Sequence, residues 1–311
     1  LYKDLFGFYL LFYGALSAGF LLRRWQGLAP FLMRYAILLL EAPIFAYSFW
    51  ILDLQRVRQF APIPLISVAL VLTALGLGAR LAPRLFGNSP ARGSFTVAAG
   101  FSNIGTTGGS FLCYLLFGLP GLALGALYLL PYPFLVYTLG FSLARYYASG
   151  RTLPLREMLV SLLANAVSAV PLAGMGLGLA CNLLSWPVPA GLTSVADKWI
   201  KLDLVVMCLA IGMTLKPRRL FAAWRPLAAI GAIKFILLPL LAAVLVWLSY
   251  GSWQSLPAKV LLVQASMPVA IYGVVTANLF GLDRELANTL WFSTTLLLAP
   301  VAAVLFLLLG A

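Results

Sequence analysis

Ten stretches of this chain are each long and apolar enough to cross a bilayer, which leaves few folds open to it. A spanning helix needs roughly 20 predominantly apolar residues. With charges, prolines and glycines as punctuation, such stretches fall at 5–22, 31–52, 62–82, 94–117, 121–144, 157–185, 197–215, 226–249, 258–280 and 284–309. The connections between them are short and leave no room for a separate soluble domain. Composition agrees: 63% of the residues are hydrophobic and 9% charged, whereas a soluble domain is about half apolar and a quarter charged. The expected fold class is an all-α integral membrane protein with ten transmembrane helices and the lipid bilayer as its solvent. The stretch from Leu5 to Leu22 could pass for a signal peptide, but its paired arginines, Arg23 and Arg24, follow the apolar run rather than precede it. A retained first helix is expected.

The net charge of +13 would point to nucleic acid in a soluble protein; here it reads as anchoring of loops, and no nucleic-acid partner is expected. Fourteen of the 21 lysines and arginines fall on the side of the odd-numbered connections, among them Arg23, Arg24, Arg34, Arg145, Arg151, Lys216, Arg218, Arg219 and Arg284. Six fall on the other side (Lys3, Arg56, Arg58, Lys198, Lys201 and Lys259), and Lys234 belongs to neither. The positive-inside rule then places the odd loops in the cytoplasm and both termini outside the cell membrane. The absence of histidine removes a histidine relay or a histidine-ligated metal. Cys113, Cys181 and Cys208 are scattered through apolar stretches, and buried inert thiols are expected. No cofactor and no metal are expected. An intramembrane hydrolase would need an activated nucleophile or paired acids, and the sequence offers no such constellation.

A run of polar and small residues interrupts the fourth stretch: Ser102-Asn103-Ile104-Gly105-Thr106-Thr107-Gly108-Gly109-Ser110. A shift of 163 residues lays Leu116-Phe117-Gly118-Leu119 on Leu279-Phe280-Gly281-Leu282 and lays the polar run on Ala265–Gly273, which holds Ser266, Pro268 and Tyr272. Five spans per half make an inverted repeat, with residues 1–150 as the first half and 151–311 as the second. Substrate sites in such folds lie near the midplane, between interrupted helices in matching positions. Spans four and nine are therefore expected to unwind and cross there. Glycine permits the unwound dihedrals, Pro268 removes a helix hydrogen bond, and Asn103, Thr106, Thr107 and Ser110 can satisfy freed backbone groups or a ligand. Tight helix packing through small residues is the competing reading.

Three ionisable residues sit where the bilayer makes them costly. Glu41 is midway along span two, Lys234 is within span eight, and Asp203 lies in the outer part of span seven. Each costs roughly 2.5–3.5 kcal/mol at a helix centre on insertion scales. Glu41 could take a proton and sit neutral, or pair with a cation on a neighbouring helix. Asp203 is expected to reach the outer interface beside Lys198 and Lys201. Lys234 is expected to stabilise the crossing, filling the place of a coupling sodium, and could pair with Glu41. Trp25, Trp50, Trp186, Trp224 and Trp253 read as interface anchors.

These features, in their order along the chain, resemble the auxin efflux carrier family, within the larger group that includes the bile acid:sodium symporters. The resemblance rests on Gly19-Phe20-Leu21-Leu22-Arg23-Arg24, Ala42-Pro43-Ile44-Phe45, Asn103-Ile104-Gly105 with Gly108, Ile211-Gly212-Met213-Thr214-Leu215, Pro239 and Met267-Pro268-Val269-Ala270. Ser110 and Tyr272 depart from it, standing where the two crossover motifs usually carry proline and often asparagine. The resemblance implies a crossed core of spans 3–5 and 8–10, a scaffold of spans 1, 2, 6 and 7, and secondary transport of organic anions.

The expected function is alternating-access transport of a small organic anion. Half-helix N-termini would supply partial positive charge, and Asn103, Gly105, Thr106, Thr107, Ser110, Ser266, Pro268 and Tyr272 would form the substrate site. Glu41 and Lys234 are the expected coupling or crossover-stabilising pair. A sodium-coupled symporter of bile-acid type is the closest alternative; neither crossover segment carries a carboxylate, which argues against sodium. A receptor or structural membrane protein without flux remains open, as does assembly into a homodimer.

Overall fold

The computed structural model describes residues 2–152, 154–215 and 224–309. Of the basic loop expected at 216–225, only Trp224 and Arg225 fall within them; Lys216, Arg218 and Arg219 lie outside the described residues. The described chain is helical throughout, apart from turns and one isolated antiparallel pairing of Ser102 with Val269. Its helices are α1 (Lys3–Leu21), α2 (Arg23–Trp50), α3 (Arg58–Leu85), α4 (Ser89–Gly100), α5 (Gly109–Ser149), α6 (Leu155–Ala164), α7 (Ala166–Leu183), α8 (Leu192–Thr214), α9 (Trp224–Tyr250), α10 (Leu256–Ala265), α11 (Ile271–Phe280) and α12 (Arg284–Leu309). Seven of these are long and apolar enough to cross a membrane: α1, α2, α3, α5, α7, α9 and α12. α8 has the length but carries Asp197, Lys198, Lys201 and Asp203 along it.

Apolar stretches four and nine are not continuous helices. The chain leaves α4 at Gly100 and resumes helix at Gly109, and it leaves α10 at Ala265 and resumes at Ile271. The short helices before the two breaks begin alike. The Asn88 side chain accepts from the Ala91 amide at 2.8 Å, and the Ser255 hydroxyl accepts from the Ala258 amide at 3.4 Å. Each cap is followed two residues on by a proline, Pro90 or Pro257, whose missing N–H costs nothing in the first turn. The two Leu-Phe-Gly-Leu sequences also share a backbone feature. Gly118 and Gly281 have φ of +66° and +70°, a region that a side chain makes costly. Gly118 bends α5 there, and Gly281 ends α11. Stretch six is divided too, at Asn165, whose side chain accepts from the Val167 amide at 3.0 Å and starts α7.

Close backbone approach holds the helices that face the breaks. Gly174 and Gly178 of α7 press on the carbonyls of Ala42 and Ala46 in α2, and Gly19 of α1 meets Gly212 of α8. Lipid tails are as apolar as leucine, so small residues that admit close packing carry association inside a bilayer. A side chain at Gly178 has no room, because the Ala46 carbonyl fills its place. Gly178→Leu is expected to destabilise the fold by about 1–3 kcal/mol through overpacking, whereas Gly176→Leu, with open space around it, is expected to be neutral. Thermal unfolding in detergent compares the two.

Several helices widen into single π-helical turns: Leu10–Gly14 in α1, Ile37–Glu41 in α2, Val136–Gly140 in α5 and Ile233–Leu237 in α9. Those in α2 and α9 stand immediately before Ala42-Pro43 and Leu238-Pro239, and they carry Glu41 and Lys234. A proline cannot donate to the ladder, and a wide turn ahead of it is a common local adjustment, frequent at functional sites.

Candidate functional site

The two breaks meet each other. Asn103 donates its amide to the Pro268 carbonyl at 2.8 Å, and Ala270 donates its amide to Phe101 at 3.0 Å. The Val269 amide goes to the Thr294 hydroxyl at 3.2 Å, and the Tyr132 hydroxyl donates to the Ser102 carbonyl at 2.7 Å. An unpaired backbone group in hydrocarbon costs several kcal/mol, and these bonds remove that cost at the point where the helices stop.

The polar side chains of residues 102–110 serve the same end. Asn103 Nδ2 donates to the Thr107 carbonyl at 3.1 Å, and the Thr107 hydroxyl donates to Asn103 Oδ1 at 3.0 Å, closing a turn on itself. Ser110 donates its hydroxyl to Ile104 at 2.8 Å and accepts from Gln264 at 3.2 Å. The Lys234 ammonium, fully buried, donates to Ser102 Oγ at 2.8 Å. Among the described residues no ion pair joins Lys234 to Glu41; the lysine reaches a hydroxyl of the break.

A cavity of about 350 Å³ lies against the breaks. One wall is Ser102, Asn103, Gly105 and Thr107 of the first break, with Ala270, Ile271 and Tyr272 at the start of α11. The facing wall comes from α2, α7 and α8: Arg34, Ile37, Glu41 and Phe45, then Ser168, Leu172 and Met175, then Met207. Tyr132, Val136 and Tyr137 of α5 complete it. Most of this lining is apolar. Its polar groups are few: the Tyr272, Tyr137 and Tyr132 phenols, the Ser102, Thr107 and Ser168 hydroxyls, the Asn103 amide, the Glu41 carboxyl and the Arg34 guanidinium. Tyr137 hydrogen-bonds Ser168 and accepts from Asn165 at 3.2 Å, whereas no described group hydrogen-bonds the Tyr272 hydroxyl. No side chain caps the N-terminus of α11, and Ala270, Ile271 and Tyr272 at that end line the cavity, which sets the partial positive charge of a helix N-terminus against it.

The residues singled out from sequence divide into two sets. Asn103, Gly105, Thr107, Tyr272 and Glu41 line the cavity. Thr106, Ser110, Ser266, Pro268 and Lys234 do not. Ser266 turns back to donate to the Leu262 carbonyl at 2.8 Å, and Pro268 contributes the carbonyl that receives Asn103. Thr106 donates to Glu41 Oε1 at 3.4 Å. The break segments carry no carboxylate of their own, yet Glu41 of α2 brings one against Thr106 and Gly105. Asp203 is not at an interface with Lys198 and Lys201. It is wholly buried with both carboxyl oxygens unpartnered, while Lys201 pairs with Asp197 at 2.8 Å.

By sequence Arg34 counts only among the charges of the first connection and the helix ends that flank it. The sequence did contain a signal: Arg34 and Glu41 are seven residues apart, two helical turns or roughly 10 Å, and so share a face of α2. Arg34 has no ion-pair partner among the described residues.

A family model described as membrane transport protein matches residues 51–305 of the chain. No curated protein matches it.

Proposed function

The chain belongs to the membrane transport protein family, that of the auxin efflux carriers, and we propose that it is a secondary carrier moving small organic anions by alternating access. The observation that carries this reading is the cavity, walled on one side by the paired breaks and on the other by α2, α7 and α8. A site shared between two groups of helices is one that a rocking motion can expose to either face in turn. The uncapped α11 N-terminus and the unpaired Arg34 favour a carboxylate. The apolar remainder of the wall favours an organic body attached to it. Asn103, Gly105, Thr107 and Tyr272 are the first-break and α11 contacts; Ser110, Ser266 and Pro268 hold the backbone that presents them, and Thr106 holds Glu41.

The ten-span, five-plus-five arrangement is part of the same proposal. Supporting it are the matched caps at Asn88 and Ser255, the matched breaks, and the two glycines with positive φ, which lie 163 residues apart. Under the charge rule, Arg34 and Pro30, both exposed members of the cavity lining, put its mouth toward the cytoplasm. A cysteine placed in the 145–156 loop is expected to react with an impermeant thiol reagent only after the cell is opened. Labelling of intact cells would overturn the orientation.

Acetate, succinate and benzoate, screened by thermal shift on purified protein and then by counterflow in proteoliposomes, test the transport reading. Benzoate is expected to bind best, having one charge and an apolar body. Arg34→Gln is expected to weaken its binding on the order of fivefold, as loss of a rim charge does. A protein that binds and exchanges no acid of this kind would be a receptor or structural component instead.

A further inference from the structure

Asp203 is the least expected feature of the interior. It is 0% exposed, neither carboxyl oxygen has a partner at hydrogen-bond distance among the described residues, the Thr106 hydroxyl is close by, and its charged neighbour is another acid, Glu41. Glu41 lines the cavity, lies against Gly105, and receives the Thr106 hydroxyl on Oε1. The two acids come from different helices, α2 and α8. They stand 162 residues apart, one short of the shift that superposes the two halves of the sequence.

We propose that Glu41 and Asp203, with Thr106 beside them, form a proton-binding pair that takes up one proton with each organic anion and makes the protein a proton–anion symporter. This rests on the anion-carrier reading and names its coupling ion.

Asp203 is out of water and Glu41 meets only that of the cavity, and two neighbouring carboxylates so placed do not both stay ionised without a cation among them. The buried cation nearest the breaks, Lys234, is committed to Ser102 and does not line the cavity. The pair therefore holds a proton in common, and its titration belongs to both acids together. The other titratable groups facing it are Tyr272 from α11, Cys208 farther along α8, Tyr13 from α1 beside Cys208, and Arg34 along α2. The phenols and thiol are neutral near pH 7 by their ordinary values, and Arg34 is exposed to solvent, which screens it. None of them supplies the missing charge beside Asp203.

Coupling follows from position. An anion seated at the α11 N-terminus brings negative charge beside Glu41. A pair carrying two protons is neutral and tolerates that charge better than one carrying a single shared proton, so anion and proton each raise the affinity for the other. On loading, the carboxylate of the pair that is still ionised takes a second proton from cavity water and forms an O–H bond. On release, that bond breaks and the proton returns to water on the opposite side with the anion. Thr106 links the pair to the first break, so the state of the acids is felt where the two groups of helices meet.

The intact chain in detergent supplies two measurements. The infrared carbonyl band of a protonated carboxylic acid should be present at neutral pH without any ligand, and should be lost or shifted in both Glu41→Gln and Asp203→Asn. In weakly buffered solution, adding benzoate should take up about one proton per molecule bound, and Asp203→Asn, which does not touch the cavity, should still bind benzoate but take up none. The absence of the infrared band, or benzoate binding without proton uptake, would overturn the proposal, as would uptake that requires sodium. If acetate, succinate and benzoate all fail to bind, the anion-carrier reading falls and the coupling falls with it, while the infrared band still reports whether the pair holds a proton.

Discussion

Lys234→Met is expected to leave the protein folded and to cut benzoate transport tenfold or more. Methionine keeps most of the volume of the lysine and removes its charge. The ammonium is fully buried and makes one hydrogen bond, to Ser102. A buried charge so thinly compensated is weak evidence for stability, and an apolar replacement of similar size is often neutral or stabilising. The unfolding temperature of Lys234→Met should therefore hold or rise. Transport should suffer because Ser102 also lines the cavity, which puts the lysine one side chain away from the bound anion. In a low-dielectric interior a charge at that range is felt strongly. Lys234→Ala is a different experiment, since it also opens a void, and it should destabilise by about 2–5 kcal/mol. Transport by the unmutated protein should persist in sodium-free buffer. A strict sodium requirement would show that the lysine does not stand in for a coupling cation.

Asn103→Ala should reduce both benzoate binding and stability, the latter by about 1–3 kcal/mol, the cost of leaving buried partners unsatisfied. The Asn103 side chain makes two bonds, one to the Thr107 carbonyl and one from the Thr107 hydroxyl. Its effect on a ligand is therefore carried partly by the shape of the turn. Thr107→Val breaks only the second of those bonds and should give a smaller loss of the same kind. If Thr107→Val is silent while Asn103→Ala abolishes binding, Asn103 acts through direct contact with the ligand. If both variants bind and transport as the parent does, the cavity wall at the first break is not the substrate site.

Much of the frame was written locally in the chain. Length and apolarity of the long stretches identify a membrane protein, because a helix in lipid must satisfy its backbone within itself and cover it with apolar side chains. The glycines and polar residues after Gly100, and Pro268 in the later stretch, mark where that rule is broken. Lys234 also announced itself, as a charge in the middle of an apolar helix. Each of these signals depends on a residue and its immediate neighbours.

Direction was not written there. In a soluble helix the polar face tells which side looks outward, but in a bilayer the lipid face and the protein face are both apolar, so periodicity does not separate them. Nothing local could say that Ser110 and Ser266 turn into the backbone or that Asn103 folds onto its own turn. Least visible was Asp203. Four charged residues on one helix, Asp197, Lys198, Lys201 and Asp203, look alike in sequence, and an interface was the cheaper place for all of them. Only the packing of α8 against α2 takes Asp203 out of water and sets it beside Glu41. The encounter of two acids 162 residues apart is a property of tertiary structure alone, because the energy that decides it comes from what surrounds each carboxyl.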